Sequence, residues 1–200
     1  MNQLLRFFVL PVHRPVRGLR DLIQSKQRVG YGSIVFLVLG ILYTVSVQLA
    51  YSRGIGAAVQ PFVDIPAEDY YAFQRFWQIP FFFLTSIVFA GTARLLASAV
   101  SGTGSFEAIF AVFCVAQTLP MFITMWLPET FLFLFSPGVD LWPVWVDVVR
   151  QVVGIVWPLV LTVLGILLSE DLRGRRSLHA IWITLVAAIP AVGLMVVFVR

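Results

Sequence analysis

Long apolar windows dominate the chain. Runs of about 20 mostly apolar residues, the length a helix needs to cross a bilayer core, fall at residues 31–50, 76–97, 106–127, 152–168 and 180–199. The first is uncharged, and the second carries Arg94 only near its end. Hydrocarbon offers the backbone no hydrogen-bond partner, so each window is predicted to be a helix. A further apolar and aromatic stretch, 129–147, is interrupted by Pro137, Gly138, Asp140 and Pro143. Its pieces are too short to span, and it reads as an interfacial or re-entrant segment. Ahead of the first window the pattern changes. Over residues 15–28, Val16, Leu19, Leu22 and Ile23 make one face, while Arg17, Arg20, Lys26 and Arg28, with Arg14 just before, fill the rest. Pro15 suits a first helical turn. This predicts a basic amphipathic helix lying on a leaflet. The fold class expected is all-α: a polytopic membrane bundle of five transmembrane helices with an N-terminal amphipathic interfacial helix. Residues 1–30 form a basic cytoplasmic segment and 31–200 the five-span membrane domain.

Composition removes the soluble alternatives. Apolar residues make up 60% of the 200 and charged residues 12%, with a mean hydropathy of +0.92, against roughly 45–50% and 25% in soluble domains. The single cysteine, Cys114, excludes an intramolecular disulfide and a cysteine-based metal site. The apolar segment 4–10 is short, is followed by Pro11 and Pro15, and has no small-residue cleavage site after it. The first span is therefore expected to act as an uncleaved signal-anchor. With five spans, ten of the fourteen basic residues fall on one side: Arg6, Arg14, Arg17, Arg20, Lys26, Arg28, Arg94, Arg173, Arg175 and Arg176. The other side holds Arg53, Arg75, Arg150 and Arg200 with six acids. The positive-inside rule then predicts a cytoplasmic N-terminus and an external C-terminus, in the inner membrane if the cell is bacterial. Tyr70, Tyr71, Trp77, Trp126, Trp142 and Trp145 fall at the outer interface in this arrangement and Trp182 at the inner one, as an aromatic belt requires.

Candidate chemistry is sparse. No charge lies in the centre of any window, which weighs against an ion-coupled transporter. The uncharged polar residues Thr44, Gln48, Thr85, Ser86, Gln117, Thr118, Thr162 and Thr184 are expected to hydrogen-bond between helices. Ala90, Ala93 and Ala97, and again Ala187 and Ala191, offer small faces for close packing. Pro120, Pro158 and Pro190 should kink their helices. Gly102-Thr103-Gly104-Ser105 has neither the lysine nor the preceding strand of a phosphate loop. It reads as a tight turn in which Ser105 caps the third helix and Glu107 favours its dipole. His13 and His179 have no partner at metal spacing, so neither a metal nor a cofactor is expected. A catalytic reading would have to use Glu170, Asp171 and His179. The cytoplasmic contact or headgroup-binding residues expected are Arg17, Arg20, Lys26, Arg28, Arg173, Arg175 and Arg176.

The stretch Ala93-Arg94-Leu95-Leu96-Ala97, then Gly102-Thr103-Gly104-Ser105-Phe106-Glu107-Ala108, then Val112 through Pro120 resembles the Yip1 family. The shared features are an Arg-Leu-Leu helix end, a glycine-rich turn and a third helix running to a proline. Pro15-Val16-Arg17-Gly18-Leu19 and Ser177-Leu178-His179-Ala180 are similar to the family's basic preamble and last-span start. The family-like turn comprises Arg94, Gly102, Gly104, Ser105 and Phe106. The resemblance implies five spans and a cytoplasmic N-terminus. Eukaryotic members are linked to vesicle traffic and Rab-type GTPases through a long hydrophilic N-terminal region and an Asp-Leu-Tyr-Gly-Pro motif. This sequence shows neither, and it reads as a prokaryotic-type member. The expected role is non-enzymatic: scaffolding protein partners or organising membrane lipid, with lipid, protein partners or a second copy as contacts and no nucleic acid. A small permease or transporter subunit is the alternative.

Overall fold

A computed structural model describes residues 9, 11, 13–55, 65–66, 68–135, 143–172, 174 and 177–198. Among these the chain is all helix, and five helices are long and apolar enough to cross a membrane. Helix α1 is Pro15–Gln24, α2 Arg28–Ser52, α3 Tyr70–Ala99 and α4 Phe106–Met121. A π-helical turn, Phe122–Trp126, continues α4 into α5, Leu127–Phe135. Helices α6, Val144–Ser169, and α7, Ser177–Phe198, complete the bundle.

Helix α4 is the central post. Every residue from Ala108 to Ala116 is buried, as befits a helix that is apolar all round. It can sit this deep because α2 and α6 meet it with glycines. A Cβ on Gly32 would stand 2.9 Å from the Cα of Ala111, and one on Gly165 would run into Val112. Helices α3 and α7 pack on each other, and Ala90, Ala93 and Ala97 share one core cluster with Ala180, Ala187 and Ala191. The expected small-residue faces are thus packing faces. The outer helices keep apolar residues on the outside: Ile34, Val38, Ile41 and Val45 on α2, Val152, Val156 and Val160 on α6, Ile181, Leu185 and Ile189 on α7. An apolar exterior over an equally apolar interior is the surface hydrocarbon requires.

The windows read from the sequence are all present but short of the real helices. Of the stretch 129–147, Glu129–Phe135 prolongs the third span, Pro143 is the N-cap of α6 and Val144–Asp147 opens the fourth span; Pro137, Gly138 and Asp140 lie outside the described residues. The π turn explains the first extension. Pro128 has no N–H to give the Thr124 carbonyl four residues back. Arg150 Nη1 from α6 donates to it instead, at 2.8 Å, so the helix continues through the proline with that acceptor satisfied. Arg150 also holds Asp147 at 2.8 Å and lies 3.6 Å from Glu129.

Two other expectations change. Intramembrane hydroxyls mostly bond to their own helices, four residues back: Thr44 to Gly40, Ser86 to Phe82, Thr118 to Cys114, Thr162 to Pro158 and Thr184 to Ala180. A local carbonyl is always within reach, whereas a cross-helix partner is not. Cross-helix bonds to such groups include Ser46 with Thr130 at 2.6 Å and Arg75 donating to Gln48 at 3.2 Å. Of the belt aromatics, Trp77, Trp145 and Trp182 face outward, but Tyr70 is buried and Trp126 stacks on Phe122 at 5.0 Å. Trp142 lies outside the described residues.

Candidate functional site

The most elaborate polar construction in the bundle is at the end that carries α1. It begins with two helix ends. Helix α3 closes with Gly102 N donating to Ala97 O at 2.8 Å and Ser101 N to Ser98 O at 3.2 Å, with Ser101 at φ +64°. Helix α6 closes in the same way, Leu172 N donating to Leu167 O at 3.1 Å and Asp171 at φ +50°. Both are Schellman caps, which usually place glycine in the left-handed position. Here a serine and an aspartate occupy it, at a cost of about 1–2 kcal/mol each.

Between the two caps lies Glu170, only 1% exposed. Its Oε2 accepts from Arg94 Nη1 at 3.1 Å and from Gly104 N at 2.9 Å. Its backbone carbonyl accepts from Thr103 N at 3.4 Å. Arg94 Nη1 also donates to Gly102 O at 3.3 Å. The glycine turn therefore wraps a buried carboxylate. A methyl group on Gly102 or Gly104 would collide with that carboxylate, which is why glycine is needed at both positions. Arg94, near the end of the second window, turns its guanidinium toward Glu170 while its side chain stays 30% exposed. The other carboxylate oxygen, Oε1, is buried with no hydrogen-bond partner among the described residues. Only Glu170 is fully buried in this pair, so it is removal of Arg94 that strands a buried charge, at a cost of up to about 3–5 kcal/mol.

Ser105 caps α4 as expected, accepting from Ala108 N at 3.3 Å, with Glu107 in the first turn. Arg28 reinforces the cap: Nη2 donates to Ser105 Oγ at 3.3 Å and Nη1 to Ile23 O at 3.0 Å. Phe106 begins the helix and stacks on Phe110 at 6.0 Å. The family-like turn residues are thus brought together, and Glu170, 76 residues from Arg94, is the member that the sequence did not attach to them.

Helix α1 lies across the same end. Leu19 and Leu22 are fully buried, Leu22 against Ala111 and Val115 of α4, and the helix also packs on α6. The apolar face expected against a leaflet is largely taken up by the bundle; Val16 remains exposed. Arg14, Arg17 and Arg20 line an open concavity of about 520 Å³ with Asp21, and Lys26 is exposed close by in sequence. Arg173, Arg175 and Arg176 lie outside the described residues. Asp171 and His179 stand at the surface while Glu170 is turned inward. No three metal-ligating side chains cluster among the described residues.

Five apolar spanning helices, an apolar exterior and charge gathered at the helix ends define a multi-pass α-helical membrane protein. No family model, curated protein or solved structure matches the chain.

Proposed function

We propose that this chain is a non-enzymatic membrane scaffold of the Yip1 type, whose basic end gathers anionic lipid and, through it, protein partners. The observation that carries the reading is the docking of α1. With Leu19 and Leu22 locked into the bundle, Arg14, Arg17 and Arg20 are held on the outside as a fixed basic plate rather than on a tether. Juxtamembrane basic residues attract anionic headgroups by about 1 kcal/mol each, and a plate whose backbone is already docked has no helix left to order when it binds. The glycine turn around Glu170 supports the same reading, since it braces α3 and α6 at the end of the bundle that carries α1.

The test is lipid retention. The full chain in nanodiscs of mixed phosphatidylcholine and phosphatidylglycerol, released and weighed by native mass spectrometry, should retain phosphatidylglycerol preferentially. Replacing Arg14, Arg17 and Arg20 with glutamine should abolish that preference without lowering the thermal midpoint, because none of the three packs into the core. Equal retention of both lipids by the two proteins would defeat the proposal.

A further inference from the structure

A second feature lies inside the membrane and does not depend on the basic plate. Helices α3, α4, α6 and α7 leave a cavity of about 280 Å³ between them. Phe89 and Phe113, stacked at 4.3 Å, form part of its wall, and Met121 and Pro158 line it further. Ile155 and Val192, 64% and 52% exposed, stand at its mouth, so the cavity opens sideways between α6 and α7 into lipid.

Four polar residues interrupt the apolar lining: Thr85, Gln117, Thr162 and Thr184. Thr85 is 2% exposed, and its hydroxyl has no hydrogen-bond partner among the described residues. Thr162 and Thr184 line the same cavity, and both bond back to their own helices at 2.7 Å. Thr85 does not follow them. A buried hydroxyl left unpaired costs about 1–3 kcal/mol. Gln117 brings an amide to the same lining. Depth narrows the occupant. Thr85 is the sixteenth of thirty residues in α3, and Gln117 is near the middle of the third span. With the basic end at the headgroups, a rise of 1.5 Å per residue places Gln117 about 17 Å and Thr85 about 21 Å below that interface, both inside a hydrocarbon core of about 30 Å. A phospholipid ester carbonyl at the interface does not reach them. A free lipophile does. Size narrows it further: a cavity of about 150 Å³ takes a benzene ring, so this one has room for two fused rings.

We propose that the cavity is a binding site for a lipophilic carbonyl compound of roughly bicyclic size, which enters from the bilayer between α6 and α7 and accepts a hydrogen bond from the Thr85 hydroxyl. Polarizable methionine and aromatic walls suit a flat, unsaturated ring. Gln117, with both a donor and an acceptor in its amide, selects for a polar substituent over a pure hydrocarbon.

The probe is 2-methyl-1,4-naphthoquinone, measured by equilibrium dialysis with the full chain in nanodiscs against empty nanodiscs. One saturable site per chain is expected. Thr85→Val, which keeps shape and removes the hydroxyl, should weaken binding about three- to tenfold, the value of one hydrogen bond. Thr44→Val, on α2 and outside the cavity lining, should leave affinity unchanged, and Ala188→Leu should fill the cavity and abolish binding. 2-Methylnaphthalene, the same skeleton without oxygen, should bind more weakly and be indifferent to Thr85→Val. No saturable component above empty nanodiscs, or equal affinity of wild type and Thr85→Val, would overturn the proposal. So would one phospholipid per chain that the quinone cannot displace, since the cavity would then hold an acyl chain.

Discussion

At Gly102 and Gly104 one hydrogen atom in place of a methyl group decides whether a carboxylate can be buried. The Glu170 side chain occupies the space that a Cβ would need at either position. Overpacking of this kind costs about 1–3 kcal/mol, so Gly104→Ala should lower the thermal midpoint of the detergent-solubilised protein. Gly91 is the matched control. It lies within α3, and a Cβ there meets nothing within 4 Å. Gly91→Ala should raise stability by about 0.5–1 kcal/mol through helix propensity alone. Opposite signs from the same chemical change, read on the same melting curve, separate steric fit from propensity. The turn was legible in the sequence as glycine-rich and capped by Ser105. Its partner was not, because nothing local marks Glu170 as inward-facing. At the end of an apolar helix, beside Asp171 and a run of arginines, it reads as one more surface charge.

At the scale of elements, the spans were legible because about twenty apolar residues without charge have few alternatives in a polypeptide. Their ends were not. Tyr70–Arg75 and Glu129–Phe135 carry polar or helix-breaking neighbours that argue locally for a loop. The helices run through them because tertiary partners supply what the local sequence lacks, Arg150 at the Thr124 carbonyl being the clearest case. Helix α1 shows the same limit. Its amphipathic pattern fixes which face is apolar but not whether lipid or protein covers it. Coverage by protein makes a measurable difference. Leu22→Ala should cost about 2–4 kcal/mol, as for a buried core leucine. It should also speed amide exchange in α1 far more than in α4. Exchange unchanged in α1 would place its apolar face against lipid after all.

For the whole molecule, the unequal placement of basic residues predicts an orientation that a labelling experiment can read. Cys114 is fully buried, so it should be silent to impermeant maleimides, and the wild-type chain serves as its own background. A cysteine in place of exposed Lys26 should label only from the cytoplasmic side, and one in place of Val144 only from the outside. The reverse pattern would invert the topology and put the basic plate on the external leaflet.

The lengths of the helices have a consequence for the bilayer itself. Helix α3 has 30 residues, about 45 Å at 1.5 Å per residue, against a hydrocarbon core of about 30 Å. A tilt of about 20° shortens its reach by only about 3 Å. The excess has to emerge, and if the basic end sits at the headgroups it emerges on the opposite side. There Tyr70–Arg75, Glu129–Phe135 and the first turns of α6 stand together as a collar above the hydrocarbon. The ion pairs of Arg150 with Asp147 and Glu129 then sit among headgroups rather than tails. A thinner membrane would lift this collar into water and a thicker one would draw its charges toward hydrocarbon, so the same chain carries a built-in preference for the thickness of the membrane it inhabits.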